Sequence, residues 1–296
     1  MIKIHLYRPF PAKELIAKIP ATVKAIAVLD RTKEPGAGGE PLYKDVVAAV
    51  VEAHGDGSLA CARLPIMIGG RYGLSSKDFT PAMAKGVFDE LKKQRPKNHF
   101  TVGIIDDVSH SSIDYDAGYI IDHPNVFSAM FFGQGGDGTV GSNKNTIQII
   151  GEQTGYQAQA YFYYDSKKAG SQTISHLRFG PERIEAPYYI QKANFVACHL
   201  FSYLNKSDVL KYADDGATVL LNSEYGADEV WDRLSRKVQR EIIDKRLKLY
   251  TIDGYKVADE AGLGRRVSSV MQTCLLRDFG NPSARNRHRE DQGGDS

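Results

Sequence analysis

"GQGGDGTVGSNKN", residues 133–145, follows the apolar run "VFSAMFF" (126–132) and opens onto "TIQIIGEQTG" (146–155). Five of its thirteen residues are glycine, so a buried strand hands over to a helix through nearly bare backbone. Gly133, Gly135 and Gly138 satisfy G-x-G-x-x-G in the right setting, which lets backbone N–H groups approach a phosphate with a helix dipole behind them. The spacing alone is not specific. The same glycines also serve a tight turn, close strand–helix packing or a subunit contact. Within the loop the candidate ligand-facing positions are Gly135, Gly136, Asp137, Gly138, Thr139 and Asn143. Asp137 has an alternative role as a cap at the positive helix end, and Asn143 and Lys144 an alternative place on a solvated helix face. A dinucleotide site wants an acid after the next strand, and Asp165 in "YFYYDSKK" stands there. Lys167 and Lys168, in the same stretch, suit a phosphate instead.

Working outward, the chain reads as two βα series. "IKIHLY" reads as a strand, and Ala12 to Ile19 as a short helix with Leu15, Ile16 and Ile19 inward. "AIAVLD" has the continuous apolar character of a buried parallel strand. Tyr43 to Ala53 has helical periodicity, and "PIMIGG" is the next strand. Thr80-Pro81 marks a helix start, cap then proline, with Met83, Val87, Phe88 and Leu91 facing in. "HFTVGIIDD" closes the unit as a strand. The rhythm fails over 111–125, where the domain joint is expected. The second series takes Val126 to Phe132, "QAQAYFYYD", "NFVACHLF", "ATVLLN" and "LKLYTID" as strands, with helices after the glycine loop, at 228–234 and at 255–261. The expected fold class is α/β: two consecutive three-layer α/β domains with mostly parallel sheets.

The bulk numbers narrow the function classes. With 296 residues, two domains are affordable, and 42% hydrophobic with 25% charged residues is ordinary globular composition. A formal net charge of +2 gives no electrostatic reason to expect nucleic acid or an anionic membrane as partner. No apolar run approaches the roughly 20 residues of a spanning helix, and "MIKIHLYRPFP" lacks the features of a secretory signal. Three scattered cysteines, Cys61, Cys198 and Cys274, point to a reducing cytoplasm and away from a disulfide framework or a four-cysteine cluster. Cys198 and His199 are adjacent, so on a strand they face opposite ways and do not share a metal. No metal site and no catalytic serine–histidine–acid set is read from the sequence.

Two more loops leave first-domain strands at their carboxyl ends, where α/β sheets bind ligands. "LDRTKEPGAGGEP" carries Asp30, Arg31 and Lys33, either orienting a charged partner or forming a surface salt-bridge cluster. "GGRYGLSSKDFTP" carries Arg71 and Tyr72, either a recognition corner or a loop packed on a neighbouring domain.

Several long stretches occur in one order that resembles a known family. "HLYRPF", "IAVLDRTKEPGAGGEPLY", "GGRYGLSSKDFTP", "KNHFTVGIIDDVSH", "GQGGDGTVGSNKN", "YDSKKAGSQTISHLRFG" and "RRVSSVMQTC" are similar to segments of pyruvate:ferredoxin (or flavodoxin) oxidoreductase, over nearly residues 1–276. The resemblance implies that 1–122 is the family's second domain, which resembles the transketolase carboxyl-terminal domain. It implies that 123–276 is most of the third, γ-type domain. Family enzymes decarboxylate pyruvate on thiamine diphosphate with Mg2+, pass electrons through [4Fe–4S] clusters to ferredoxin or flavodoxin, and yield acetyl-coenzyme A. The thiamine domains flank this part and the cluster domain follows it, so the resemblance implies no cofactor held by this chain alone and no activity without the remaining domains. It further implies partners in those domains within a homodimeric complete enzyme. It gives Lys167 and Lys168 first, and the surface from Gly135 to Asn143 second, as contacts or access route for coenzyme A. Two other readings stand beside it: a non-catalytic coenzyme A-binding or subunit-assembly module, and an NAD(P)-dependent dehydrogenase.

The segment "LRDFGNPSARNRHREDQGGDS" leaves the family pattern. It is polar and aperiodic, so 277–296 reads as an aberrant, disordered tail. One codon choice, shifted by a base, yields a family-like amphipathic helix, which points to a frameshift near Leu275 to Arg277 or to a split gene. Loss of that helix exposes an apolar face of the third domain.

Overall fold

The computed structural model describes residues 1–75, 77–121, 123–164 and 171–280. The chain divides into two compact units, 1–121 and 122–296.

In the first unit α1 (Ala12–Ala17), β1 (Ala25–Asp30), α2 (Pro41–Gly55), β2 (Ile66–Tyr72), α3 (Pro81–Leu91) and β3 (Phe100–Val102) follow one another. The sheet is wholly parallel in the order β1-β2-β3. Alternation along β1 and β2 divides the core. Ile26, Val28 and Met67 pack with α1 and α2, while Ala27, Leu29 and Ile68 pack with α3 and Phe100. Thr80 caps α3, its hydroxyl accepting the N–H of Met83 at 3.3 Å.

Three sequence expectations fail in this unit. "IKIHLY" forms no strand: Ile2 and Leu6 are exposed and no strand among the described residues pairs with them. An alternating pattern makes a strand only where a sheet edge receives it. Phe88 is exposed, because the inner face of α3 is rotated to Ala82, Gly86, Val87 and Glu90. Glu90 is tolerated there because it accepts the N–H of Lys97 at 2.7 Å and the ammonium of Lys93 at 2.6 Å. "HFTVGIIDD" pairs only to Val102. Beyond it the Asp106 carboxylate gathers the N–H groups of Val108, Ser109 and Ser111 and bends the chain away from the sheet, leaving Ile105 exposed.

The second unit runs β4 (Phe127–Gln134), α4 (Thr139–Thr154), β5 (Gln157–Tyr164), β6 (Gln172–Gly180), β7 (Ala193–Cys198), α5 (Tyr203–Lys206), a 3-10 turn (Val209–Tyr212), β8 (Ala213–Asn222), α6 (Ala227–Arg233), α7 (Arg236–Asp244), β9 (Lys248–Ile252), α8 (Gly254–Glu260) and α9 (Val267–Gly280). Its six-stranded sheet has the order β5-β6-β4-β7-β8-β9. Only β6 runs against the others, pairing antiparallel with both β4 and β5. One face carries Met130, Phe132, Val196, Cys198, Val219 and Leu221 against α5 to α7. The other carries Phe131, Leu177, Phe179, Phe195 and Ala197 against α4 and α9. Both units are therefore three-layer α/β arrangements with mostly parallel sheets.

β6 and α7 are absent from the sequence reading, for definable reasons. β6 alternates buried apolar residues with His176 and Arg178, which look like a solvent face but are covered by residues 186–190. Arg178 donates to the Tyr188 carbonyl at 2.8 Å, and His176 accepts the N–H of Ile190 at 3.2 Å. Burial, reinforced by the charge of Arg178, pushes the His176 imidazole down to about 3. α7 buries only Val238 and Ile242 along an otherwise charged helix, too thin a stripe to stand out.

The expected break at residue 277 is also corrected as far as Gly280. α9 continues through it, and Phe279 is buried with its ring 5.5 Å from Phe127, 5.5 Å from Phe179 and 5.7 Å from Tyr156. Residues 281–296, with the rest of the tail expectation, lie outside the described residues. Phe279→Ala is expected to destabilise the protein by about 3 kcal/mol in urea unfolding, the usual cost of emptying a buried aromatic site. An unchanged midpoint would place Phe279 outside the core.

Candidate functional site

The glycine loop joins the carboxyl end of β4 to α4 and is built around one carboxylate. Asp137 Oδ2 accepts the N–H of Gln134 at 2.8 Å, and Oδ1 accepts the N–H of Thr139 at 2.8 Å and its hydroxyl at 2.5 Å. Because an ionised carboxylate only accepts, the Thr139 hydroxyl donates to it and must accept from its other neighbour, His199 Nδ1, at 2.9 Å. His199 therefore carries its proton on Nδ1, which also lies 3.4 Å from Asp137 Oδ2. Burial raises the Asp137 pKa, but the donors from His199, Thr139 and the two backbone N–H groups outweigh it and hold the carboxyl at about 2.

The loop glycines fit this knot sterically. A Cβ at Gly133 would lie 2.2 Å from the Thr139 hydroxyl oxygen. Gly138, the N-cap, has φ +85°, and a Cβ there would lie 2.9 Å from Ser268 Oγ on α9. Close helix–helix approach thus accounts for part of the glycine content.

Beside the loop lies an open cleft of about 700 Å3, lined by Gln134 to Gly138, Ser142, Tyr255, Leu263, Arg265, Arg266, Ser268 and Ser269. The first turns of α4 and α9 both line it, so two positive helix ends and two guanidinium groups share one opening. The N–H groups of Gly136 and Gly138 have no hydrogen-bond partner among the described residues. The Asp137 charge on this wall is taken up by its own donors. Such an arrangement suits a phosphate or diphosphate.

Of the sequence candidates, Gly135, Gly136, Asp137 and Gly138 line the cleft. Thr139 is buried as a link in the Asp137 knot. Asn143 is 1% exposed, facing the interior rather than a solvated helix face. Asp165, Lys167 and Lys168 lie outside the described residues. Four of the five first-unit candidates make hydrogen bonds, an ion pair or ring contacts within that unit. Asp30 accepts the N–H groups of Leu42 and Tyr43 at 3.0 and 3.1 Å, capping α2 rather than joining a salt-bridge cluster. Its pKa is raised, by burial first. Arg31 donates to the carbonyls of Gly73 and Ser75, Arg71 pairs with Glu40 at 3.2 Å, Tyr72 packs on Phe79, and Lys33 is exposed. The sequence reading missed Tyr255, Arg265, Arg266 and His199. "RRVSS" carried the signal for the arginines: a basic pair before serines at a helix start.

Comparison with known proteins puts this geometry in context. The family described as pyruvate ferredoxin/flavodoxin oxidoreductase matches residues 128–285, and the one described as pyruvate:ferredoxin oxidoreductase core domain II matches residues 1–72. The chain belongs to the pyruvate ferredoxin/flavodoxin oxidoreductase family. A pyruvate-flavodoxin oxidoreductase of Trichormus variabilis is 58% identical over 93% of this chain and 23% of its own length. The pyruvate:ferredoxin oxidoreductase of Moorella thermoacetica is 49% identical over 94% of this chain and 23% of its own length. The chain thus spans less than a quarter of these oxidoreductases. Among solved structures, a pyruvate oxidoreductase subunit of Thermotoga maritima is similar at 16% identity and TM-score 0.41, covering 57% of this chain and 85% of that one.

The three cysteines do not gather as the ligand set of an iron–sulfur cluster. Cys198 and Cys274 lie on opposite faces of the second sheet, Cys61 lies in the other unit, and burial pushes the Cys198 thiol up to about 12. A [4Fe–4S] cluster takes four thiolates. No three His, Cys, Asp or Glu side chains gather as a cation site among the described residues, and both oxygens of Asp137 are occupied by donors. Likewise, among the described residues, no helix is long and apolar enough to cross a membrane.

Asp137 is expected to contribute about 2 kcal/mol of stability through its depressed pKa. A depressed carboxyl stabilises the fold above its unfolded value near 4 and loses that contribution as pH falls toward 2. Asp137→Asn should therefore lower the urea midpoint at pH 7, and its deficit against the parent should shrink as pH drops from 4. A deficit independent of pH would assign the loss to shape alone.

Proposed function

We propose that this chain is a segment of pyruvate:ferredoxin (or flavodoxin) oxidoreductase that binds coenzyme A, or shapes its access route, through the glycine-loop cleft. The observation that carries the reading is the cleft itself. Two helix N-termini, two glycine N–H groups without a partner among the described residues and the Arg265–Arg266 pair line one opening in the family-matched region. Coenzyme A carries a diphosphate and a further phosphate, the charge this opening favours. Lys167 and Lys168 add positive charge in the same unit's sequence, and we assign them to the same anion as point charges.

The decarboxylation chemistry, thiamine diphosphate with Mg2+ and the [4Fe–4S] clusters belong, on this reading, to the remaining domains of a cytoplasmic, homodimeric enzyme that delivers electrons to ferredoxin or flavodoxin. The chain alone then has no pyruvate oxidation activity. Residues 1–122 act as the transketolase carboxyl-terminal-like domain and 123–276 as the γ-type domain.

Titration calorimetry of the purified chain tests the binding. Coenzyme A should bind with an affinity that falls steeply with salt, pantetheine, which lacks the phosphates, should bind far more weakly, and Arg265→Glu or Arg266→Glu should weaken coenzyme A about tenfold. Equal binding of coenzyme A and pantetheine would refute the phosphate role, and tighter binding of NADH than of coenzyme A would favour a dehydrogenase. In a full-length relative, reversing the lysines that match Lys167 and Lys168 should raise the KM for coenzyme A. Pyruvate turnover by the isolated chain would overturn the assignment as a segment.

A further inference from the structure

We propose that His199 is the positioning residue of the cleft: it holds the glycine loop and the Tyr255–Arg265 wall in one register, so that Gly136 and Gly138 present their N–H groups to the anion. This deepens the coenzyme A reading and rests on it.

His199 lies one residue beyond β7 and is 3% exposed. Three of its groups are used, each on a different neighbour. Its N–H donates to the carbonyl of Phe132 at 2.9 Å, fixing it to the end of β4. Its ring Nδ1–H reaches the Thr139 hydroxyl at 2.9 Å, and through it the Asp137 carboxylate. Its carbonyl accepts the side-chain N–H of Asn222 at 2.9 Å, at the end of β8. Asn222 Oδ1 in turn accepts the N–H of Gly254, the first residue of α8, at 2.9 Å. Tyr255 follows at once and lines the cleft, and the Arg265 guanidinium sits 5.8 Å from its ring centroid.

One residue thereby couples the two sides of the cleft across the carboxyl ends of β4, β7 and β8, its ring bonding the glycine loop and its main chain bonding Phe132 and Asn222. The loop side depends on it most. Asp137 takes its backbone donors from Gln134 and Thr139, the residues flanking the glycines, and the Gly136 and Gly138 N–H groups have no partner among the described residues. Without the Nδ1–H donor, the Thr139 hydroxyl and Asp137 keep their mutual bond and the Gln134 N–H at the end of β4, but lose their tie to His199 beyond β7. The His199 ring is held edge-on to Phe131 at 5.9 Å, so its orientation is fixed by packing as well.

The test uses the full chain and two substitutions. His199→Leu keeps the apolar bulk and removes the donor. His199→Asn places an amide N–H near the position of Nδ1–H. Inorganic pyrophosphate is titrated into each protein, following the Gly136 and Gly138 amide resonances by NMR, and coenzyme A affinity is measured by calorimetry.

The expected result is that pyrophosphate shifts both amides in the parent and in His199→Asn but not in His199→Leu, with coenzyme A weakened about tenfold in His199→Leu and restored by His199→Asn. If the parent binds coenzyme A and His199→Leu binds it equally well, the positioning role is overturned while the coenzyme A reading stands. If the parent binds neither ligand, the coenzyme A reading itself fails, and this inference with it. Should His199→Leu fail to fold, Thr139→Val, which removes the same link at its other end, replaces it. Unaltered amide shifts and affinity in Thr139→Val would overturn the proposal equally.

Discussion

Parallel strands all finish on the same side, and the backbone that emerges there has no next strand to satisfy it. In the second unit this constraint falls on β4, β7 and β8, whose carboxyl ends lie side by side. The N–H of His199 donates to the Phe132 carbonyl, the Asn222 amide to the His199 carbonyl and the N–H of Gly254 to Asn222 Oδ1, closing that edge with one polar side chain and the main chain. A buried donor or acceptor left alone costs about 1–3 kcal/mol, so the belt is required for folding before it is available for binding. Everything proposed about the cleft builds on a seam the fold must make anyway.

The seam also explains why neighbours in sequence take such different parts. Cys198 points into the layer of α5 to α7, where burial keeps its thiol protonated, and His199 lies on the side of α4. The alternation of a single strand separates an inert residue from an organising one.

Much of the architecture was legible because the determining signals are local. Continuous apolar runs gave β1, β4 and β8, and Thr80-Pro81 gave the start of α3. The glycine loop announced a strand-to-helix turn and four residues of the cleft. What escaped notice depends on distant partners. Histidine and arginine on β6 look solvent-facing until residues 186–190 cover them, and Phe88 looks inward until Glu90 finds two donors. His199 carries no local motif, since its role exists only once β4, β7 and β8 are aligned. The arginines of the cleft were visible as a pair, but nothing in their spacing ties residue 265 to residue 135. Ordered segments similar to a known family supplied the assignment that spacing could not.

β5 borders the second sheet with eight residues, "QAQAYFYY", and not one formal charge among them; Tyr161, Tyr163 and Tyr164 are exposed. Natural sheets usually blunt such margins with lysine, proline or a bulge. Within these eight residues there is neither lysine nor proline, so any pairing between copies of the isolated polypeptide is expected along this border, and a single lysine in place of Tyr164 is the simplest guard.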